Sequence, residues 1–110
     1  MTQTIERYSI WFADLNPVRG REIAKIRPVV VVSHDAMNRT LDTIVVCPLT
    51  SKLHPRWRSR LACTVASKKA EIAVDQIRTI SKERLDRRAG TLGEAEAAQL
   101  RRLISEMYGE

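Results

Sequence analysis

The sequence is poor in the residues that many common catalytic and cofactor sites require. Aromatic residues make up 5% of its 110 positions, and it contains four glycines and two cysteines. Four glycines are too few for a dinucleotide-binding loop, and no glycine-rich phosphate loop is present. The sequence also lacks GxSxG, HExxH and paired-carboxylate motifs. These absences exclude the most familiar hydrolase and metallopeptidase signatures.

Long apolar runs are absent as well. None approaches the roughly 18 residues of a membrane span, and the polar segment Met1–Arg7 predicts no secretory signal. Cys47 and Cys63 lack the CxxC spacing and histidine cluster of a zinc site, so we expect neither a metal nor a cofactor. We expect a cytoplasmic protein without membrane association, in which both cysteines are small buried apolar residues.

Acidic residues are missing from one long segment. The chain has 19 Lys and Arg against 13 Asp and Glu, a net charge of +6, yet Thr43 through Ala70 contains no acid. The basic residues of this segment are Lys52, Arg56, Arg58, Arg60, Lys68 and Lys69. Excess charge can serve solubility alone. Its concentration in one segment instead favours a polyanionic partner, chiefly nucleic acid, or an acidic protein.

Short β-branched runs predict a mainly β protein. The expected strands are Tyr8–Ala13, Pro28–Ser33, Thr43–Leu49, Arg60–Val65, Glu71–Asp75 and Ile77–Ile80, the last two being separate strands or one bent strand. Lys68 and Lys69 are expected to form a turn. His34–Arg39 and Ser81–Arg88 are each expected to form a helical turn.

The clearest helix lies at the C-terminal end. Apolar residues recur at i, i+3, i+4 and i+7 from Leu100, which predicts a helix over 93–108. Thr91 and Glu94 have capping-box spacing, and Gly93 is an alternative N-cap. We expect residues 1–110 to form one domain, a small barrel-like sheet closed by this helix.

Candidate phosphate ligands stand at two strand ends. Arg27 directly precedes an apolar strand, where its planar guanidinium could bind two phosphate oxygens. A surface ion pair is the simpler interpretation of Arg27 alone. Thr50 and Ser51 end the next strand beside Lys52, where their hydroxyls could bind a phosphate or a ribose hydroxyl, or form a turn.

The basic loop that follows contains an aromatic residue between two arginines. Arg56, Trp57 and Arg58 have the composition with which proteins grip single-stranded RNA, by base stacking and phosphate pairing. Trp57 could equally pack down onto the sheet. His54 could contact a phosphate or be a solvated loop residue without a task.

Two polar residues interrupt the apolar run that begins at Ile72. Asp75 followed by Gln76 is either a turn or a pair oriented toward a partner. Trp11, in the middle of a predicted strand, is expected in the core.

Five segments together resemble the MazF/PemK toxins. They occur in the family's order, with compatible spacing, and the resemblance covers residues 8–108. The segments are Trp11–Pro17, Gly20–Ile23, Arg27–Ser33, Val45–Ser51 and Asp75–Ile80.

The resemblance implies a toxin of a type II toxin–antitoxin system. It implies an SH3-like barrel with a C-terminal helix, a homodimer, and a cognate antitoxin that covers the RNA groove. The implied activity is metal-independent, sequence-selective cleavage of single-stranded RNA by its own 2′-OH. The products would be a 2′,3′-cyclic phosphate or 3′-phosphate and a 5′-OH.

The resemblance also implies roles for residues. The positions that match Arg27 and Thr50 are the family's catalytic pair. The expected RNA-binding residues are Ser51, Lys52, His54, Arg56, Trp57, Arg58, Asp75 and Gln76. In some relatives a histidine stands where this chain has Arg21 and an arginine where it has Ala73, and both are assigned acid–base roles. This chain keeps Asp75 but lacks both partners, so the resemblance does not support an acid–base role for Asp75.

Two other functions fit parts of the pattern. A CcdB-like toxin would use the same fold to bind DNA gyrase without catalysis. A plain RNA-binding SH3-like module would account for the charge alone. The Arg27-Pro28 and Pro48-Leu49-Thr50 contexts favour the nuclease over the gyrase-binding toxin. Toxicity on expression that a neighbouring small acidic protein relieves would argue against the plain RNA-binding module.

Overall fold

The computed structural model describes residues 4–16, 20, 22 and 25–109. These residues form a mainly β fold with a long C-terminal helix, as the sequence predicts. The strands are β1 (Ser9–Asp14), β2 (Ile26–Val31), β3 (Thr43–Thr50), β4 (Arg60–Val65), β5 (Lys68–Ala73), β6 (Arg78–Ser81) and β7 (Leu85–Thr91). The helices are α1 (Asp35–Thr40) and α2 (Glu94–Tyr108), and 3-10 turns occupy Val74–Gln76 and Lys82–Arg84.

The strands form one antiparallel sheet in the order β4-β5-β3-β2-β1-β7, with β6 also paired to β3. β3 pairs with three other strands. Its residues 43–46 pair with β6, residues 46–48 with β2, and residues 49–50 with β5. Because β3 serves different partners along its length, the sheet curls into the small barrel-like form expected from the sequence.

Both faces of the central strands are buried. In β2, Val30 contributes to a core beneath α2, whereas Val29 and Val31 contribute to a second core that contains Trp11. Side chains alternate between the faces of a sheet, so a strand covered on both faces is apolar throughout. This explains the run of four valines, and it confirms that Trp11 is a core residue, with 4% of its surface exposed.

Helix α2 packs on the first of these cores through Ala97 and Leu100. Its N-cap is Gly93, whose N–H donates to Oε1 of Glu96 at 3.4 Å. The predicted Thr91–Glu94 capping box is therefore wrong, and the alternative N-cap is confirmed. Thr91 is instead the last residue of β7.

Two further predictions of local structure are wrong. Ser81–Arg88 is not a helical turn: only its residues 82–84 form a 3-10 turn, and β7 follows directly. The β4–β5 hairpin turns at Ala66 and Ser67, not at the two lysines, which begin β5. Both turn residues have positive φ, +50° and +66°. This conformation suits two-residue hairpin loops but is usually taken by Asn or Gly.

No helix in the described part of the chain is long and apolar enough to cross a membrane. The predicted strand Glu71–Asp75 instead begins at Lys68 and ends at Ala73, and the 3-10 turn Val74–Gln76 separates it from β6. The other strand predictions are confirmed with shifts of one or two residues, and α1 lies within one residue of its predicted position.

Candidate functional site

Arg27 and Thr50 lie on neighbouring strands and line the same cleft. β2 and β3 pair with Val29 opposite Pro48, and the same register continued by two residues brings Arg27 opposite Thr50. The cleft has a volume of about 320 Å³. Its lining residues are Phe12, Arg27, Pro28, Leu49, Thr50, Ser51, Val65, Ala66, Lys68, Lys69 and Ala70.

The chemistry of this Arg27–Thr50 cleft suits a phosphate bound beside an apolar floor. Arg27, Lys68 and Lys69 supply positive charge, and its described lining residues include no carboxylate. Thr50 is half-buried, and its Oγ1 accepts a hydrogen bond from the Lys52 backbone N–H at 3.1 Å. The turn expected at Thr50 is therefore present, in a residue that also lines the cleft.

A second cleft adjoins the first at Thr50. It measures about 360 Å³ and gathers residues from the end of β3, the basic loop, β4 and the 3-10 turn that follows β5. The residues that line it are Thr50, Lys52, His54, Trp57, Arg60, Asp75 and Gln76. Five of the predicted RNA-binding residues thus surround one cavity, although they are up to 24 positions apart in the sequence.

His54 and Trp57 form a stacked pair at the wall of this second cleft. Their ring centroids are 3.9 Å apart and their planes differ by 8°. Trp57 is 48% exposed, so it does not pack down onto the sheet. The guanidinium of Arg60 lies 4.7 Å from the Trp57 ring centroid, within range of a cation–π interaction. His54 is therefore part of an ordered stack and not a solvated loop side chain.

Arg60 anchors the stack from within the protein. Only 6% of its side chain is exposed. Its Nε donates to Oδ1 of Asp75 at 2.9 Å, and its Nη1 lies 3.7 Å from Oε1 of Glu71. The sequence placed Arg60 among the basic residues of the segment expected to meet a polyanion, but its guanidinium is enclosed and paired with two carboxylates.

Glu71 is a residue that sequence reasoning missed. It is 4% exposed, and its Oε1 also accepts a hydrogen bond from the backbone N–H of His54 at 2.8 Å. One buried carboxylate thereby connects β5 to the loop that holds the stack. A glutamate within an apolar strand is the only sequence signal of this role, because buried acids require a partner.

The second cleft includes Gln76 but not the predicted RNA-binding residues Ser51, Arg56 and Arg58. Ser51 lines the first, and Arg56 lines a shallow depression of about 240 Å³ formed by residues 53–57. Arg58 is exposed and pairs with Glu106 of α2. Gln76 accepts a hydrogen bond from Nη2 of Arg78 at 2.9 Å.

The two thiols lie in the interior and are free. Burial raises the pKa of Cys47 to about 12 and that of Cys63 to about 11. A reactive thiol requires the opposite shift. These values agree with the prediction that both cysteines are packing residues.

Parts of two predicted motifs lie outside the described residues, which omit 1–3, 17–19, 21, 23, 24 and 110. Pro17 belongs to the first of these motifs, and Arg21 and Ile23 belong to the second. Among the residues that are described, no group of three or more His, Cys, Asp and Glu could hold a metal ion.

Comparison with protein families gives a match to the model of the PemK-like, MazF-like toxin of type II toxin–antitoxin systems over residues 6–108. The chain is 39% identical over 106 residues to the Endoribonuclease MazF9 of Mycobacterium tuberculosis, covering 87% of this chain and 89% of that protein. It is 27% identical over 113 residues to the Endoribonuclease MazF of Staphylococcus saprophyticus, covering 96% and 92%.

Solved structures share the fold at lower sequence identity. A MazF crystal structure from Deinococcus radiodurans has a TM-score of 0.86 at 17% identity, covering 99% of this chain and 100% of that one. A mycobacterial endoribonuclease in complex with its cognate antitoxin has a TM-score of 0.76 at 19% identity, covering 96% and 93%. These likenesses establish the curled sheet with its C-terminal helix.

Proposed function

The chain belongs to the PemK-like, MazF-like toxin family of type II toxin–antitoxin systems, and we propose that it is an endoribonuclease that cleaves single-stranded RNA without a metal ion. Both curated relatives described above are named as endoribonucleases. The observation that carries the proposal is the cleft in which Arg27 and Thr50 stand together, with two lysines and no carboxylate among its described lining residues. The gyrase-binding alternative has no comparable support.

The proposed reaction uses the RNA's own 2′-OH as nucleophile. The 2′-OH loses its proton as its oxygen bonds to phosphorus, and the bond from phosphorus to the 5′-oxygen breaks. The leaving oxygen takes up one proton to become a 5′-OH, which balances the proton lost by the 2′-OH. The other product is a 2′,3′-cyclic phosphate, which water can open to a 3′-phosphate. Charge builds up on the two non-bridging oxygens during this attack, which is where fixed donors accelerate the reaction most.

Arg27 and Thr50 have separate roles in this proposal. The Arg27 guanidinium stabilises the developing charge, because its fork can donate to two phosphate oxygens. It is a poor proton acceptor, since an arginine stays protonated in proteins. The Thr50 hydroxyl orients the phosphate or the 2′-OH. We assign no residue as general base.

Asp75 is not given the acid–base role that the matching residue has in some relatives. Its carboxylate is ion-paired to Arg60, and position 73 is an alanine buried in β5. The arginine that accompanies the aspartate in those relatives is therefore missing. Asp75 is instead one of the residues proposed to bind RNA. The others are Ser51, Lys52, His54, Arg56, Trp57, Arg58 and Gln76.

We also propose two protein partners. Solved neighbours include a MazE–MazF complex from Deinococcus radiodurans and a mycobacterial endoribonuclease with its cognate antitoxin. We propose that a cognate antitoxin binds this chain as well, and that the chain forms a homodimer, which sedimentation at micromolar concentration tests. Residues 1–110 act as one toxin domain in the cytoplasm, where RNA substrates occur and unpaired thiols stay reduced.

A cleavage assay on purified RNA tests the activity directly. We expect cleavage to persist in EDTA and to yield 5′-OH ends. We expect no cleavage of a substrate that carries a 2′-deoxyribose at the scissile position, because the nucleophile is then missing. A metal-dependent hydrolytic nuclease would lose activity in EDTA and would still cleave the 2′-deoxy substrate. Intact RNA together with gyrase inhibition would support the alternative toxin.

A further inference from the structure

The second cleft is large enough to admit a nucleobase and adjoins the Arg27–Thr50 cleft. It holds about 360 Å³ and meets the Arg27–Thr50 cleft at Thr50. A group bound there lies directly beside a phosphate held at the first cleft. In a bound RNA strand, the groups that flank a phosphate are its two neighbouring nucleosides.

His54 offers a stacking surface to a base in this cleft. One face of its ring is covered by Trp57 at a centroid distance of 3.9 Å. The other face points away from Trp57, and a base placed there would extend the stack. Unpaired RNA bases are commonly held in this way. Because every base has such a face, stacking contributes binding but little selectivity.

Asp75 is the lining residue best suited to distinguish one base from another. Its Oδ1 is fixed by the 2.9 Å hydrogen bond from Nε of Arg60. Arg60 is itself held in the interior, with 6% of its side chain exposed and Glu71 at 3.7 Å. The carboxylate therefore has a defined orientation. It accepts hydrogen bonds through two adjacent oxygens and can donate none while ionised.

We propose that this cleft binds guanine, stacked on His54 and recognised by Asp75 through the N1–H and N2–H donors of the base. This inference rests on the proposed function. Guanine is the only standard RNA base with two adjacent donors on its Watson–Crick edge, which matches a carboxylate. Adenine and cytosine place a ring-nitrogen acceptor beside their amino donor, and uracil flanks its single donor with two acceptors. Acceptors facing a fixed carboxylate are repelled.

End-mapping of a random RNA pool cleaved by the wild-type protein is the first step of the test. We expect guanine at one position that flanks the cleaved bond. The second step replaces that guanine by inosine, which keeps N1–H and O6 but lacks the 2-amino group. One lost base contact should lower kcat/KM about tenfold or more, and adenine at the same position should lower it further.

Variants then assign the selectivity to residues. Asp75→Asn should bring the guanine-to-inosine ratio of kcat/KM close to one. This ratio does not depend on the fraction of folded enzyme, so a loss of stability cannot imitate the effect. Asp42→Asn is the matched control, because Asp42 is an exposed residue between α1 and β3, and it should leave the ratio unchanged.

His54 should behave differently from Asp75. His54→Ala should raise KM for the guanine and inosine substrates alike, and His54→Phe should restore it, since a phenyl ring also stacks. If the wild-type protein cleaves no RNA, the proposed function itself is wrong. If it cleaves without a guanine preference, or if Asp75→Asn keeps the full guanine-to-inosine ratio, the guanine site is wrong and the endoribonuclease assignment stands.

Discussion

Arg27 and Thr50 can supply different groups to a reacting phosphate. The guanidinium of Arg27 is a planar fork with a permanent charge. The Thr50 hydroxyl already accepts the Lys52 backbone N–H, so its own hydrogen can be donated elsewhere. Arg27 would stabilise charge and Thr50 would orient the substrate, and substitutions can separate these two functions.

Arg27→Ala and Thr50→Ala should each lower single-turnover cleavage by about 10²-fold or more, the usual cost of losing a donor to the transition state. Arg27→Lys should rescue poorly, because an ammonium group cannot make the two-oxygen contact. Thr50→Ser should retain most activity. Arg39→Ala is the control, because Arg39 is an exposed cation of α1 that lines neither cleft.

Unchanged rates in both alanine variants, with circular dichroism spectra like that of the wild-type protein, would remove these two residues from the active site. The basic surface would then remain as a binding surface without assigned chemistry.

The thiols should be inert in the folded protein. Because burial raises the pKa of Cys47 from 9.0 to about 12, the thiolate is disfavoured in the native state. We expect no reaction of Cys47 with DTNB at pH 8, and full reaction of both thiols in denaturant. The single variants Cys47→Ala and Cys63→Ala distinguish the two groups.

The same pKa shift has a consequence for stability. A folded pKa above the unfolded value stabilises the fold below about pH 9, and this contribution is lost as the pH rises toward 12. Cys47→Ala should therefore flatten the alkaline dependence of the unfolding free energy. Rapid native-state labelling of Cys47 would contradict its burial.

At the scale of elements, the β4–β5 hairpin has unusual turn residues. Ala66 and Ser67 both adopt positive φ, where a Cβ atom is unfavourable by roughly 1–2 kcal/mol. Ala66 also lines the Arg27–Thr50 cleft. The hairpin therefore holds local strain at the edge of the proposed active site.

Ser67→Gly should raise the unfolding free energy by about 1 kcal/mol, because glycine adopts this conformation without strain. Chemical denaturation with a constant m-value provides the measurement. Ala62→Gly, at an exposed position of β4 in the same hairpin, should instead lower stability by about 0.5–1 kcal/mol. A loss of stability in both variants would show that Ser67 is not strained.

Sequence patterns located the elements with regular burial and missed those without it. The valines of β2 and the apolar stripe of α2 are periodic because each packs on a core. β7 was missed because Asp86, Arg87 and Arg88 are exposed in succession at the sheet edge, which hides the alternation of a strand. The pairing of Arg60 was missed because its partners come from β5 and the 3-10 turn, which only the folded chain brings together.

Some of the proposed site residues could likewise be located from the sequence, and others could not. Arg27, Thr50 and Ser51 are neighbours in space because β2 and β3 are adjacent, which the motif order anticipates. The His54–Trp57 stack and its support by Glu71 depend on side-chain packing within a loop. No periodicity in the sequence reports such packing.

At the scale of the whole molecule, the cations differ in their availability to RNA. Lys52 and Arg56 are exposed, whereas Arg60 is enclosed. Arg56→Ala should reduce the slope of log K against log salt by about 0.7, the value of one phosphate contact on a single strand. Arg102→Ala, an exposed cation of α2, should leave the slope unchanged. An unaltered slope in Arg56→Ala would place the basic loop away from RNA.

The Arg27–Thr50 cleft combines an apolar floor with a basic rim, a surface that suits two kinds of ligand. RNA would use the cations and the hydroxyls of Thr50 and Ser51. An acidic antitoxin segment with apolar side chains would use the floor as well, folding as it binds. We therefore expect a peptide of the proposed antitoxin's acidic segment to displace labelled, uncleavable RNA from the protein in a fluorescence anisotropy competition.

Two variants separate the contributions of the basic rim and of the apolar floor to that competition. The double variant Lys68→Ala, Lys69→Ala should weaken both ligands, because both use the rim. Leu49 is fully buried and would harm folding if changed, so Val65, a half-buried lining residue, is the better probe of the floor. Val65→Thr should weaken the peptide more than the RNA, since only the peptide buries apolar surface there. If the peptide binds while RNA affinity stays unchanged, the antitoxin does not inhibit by occupying this cleft, and a second surface of the chain must receive it.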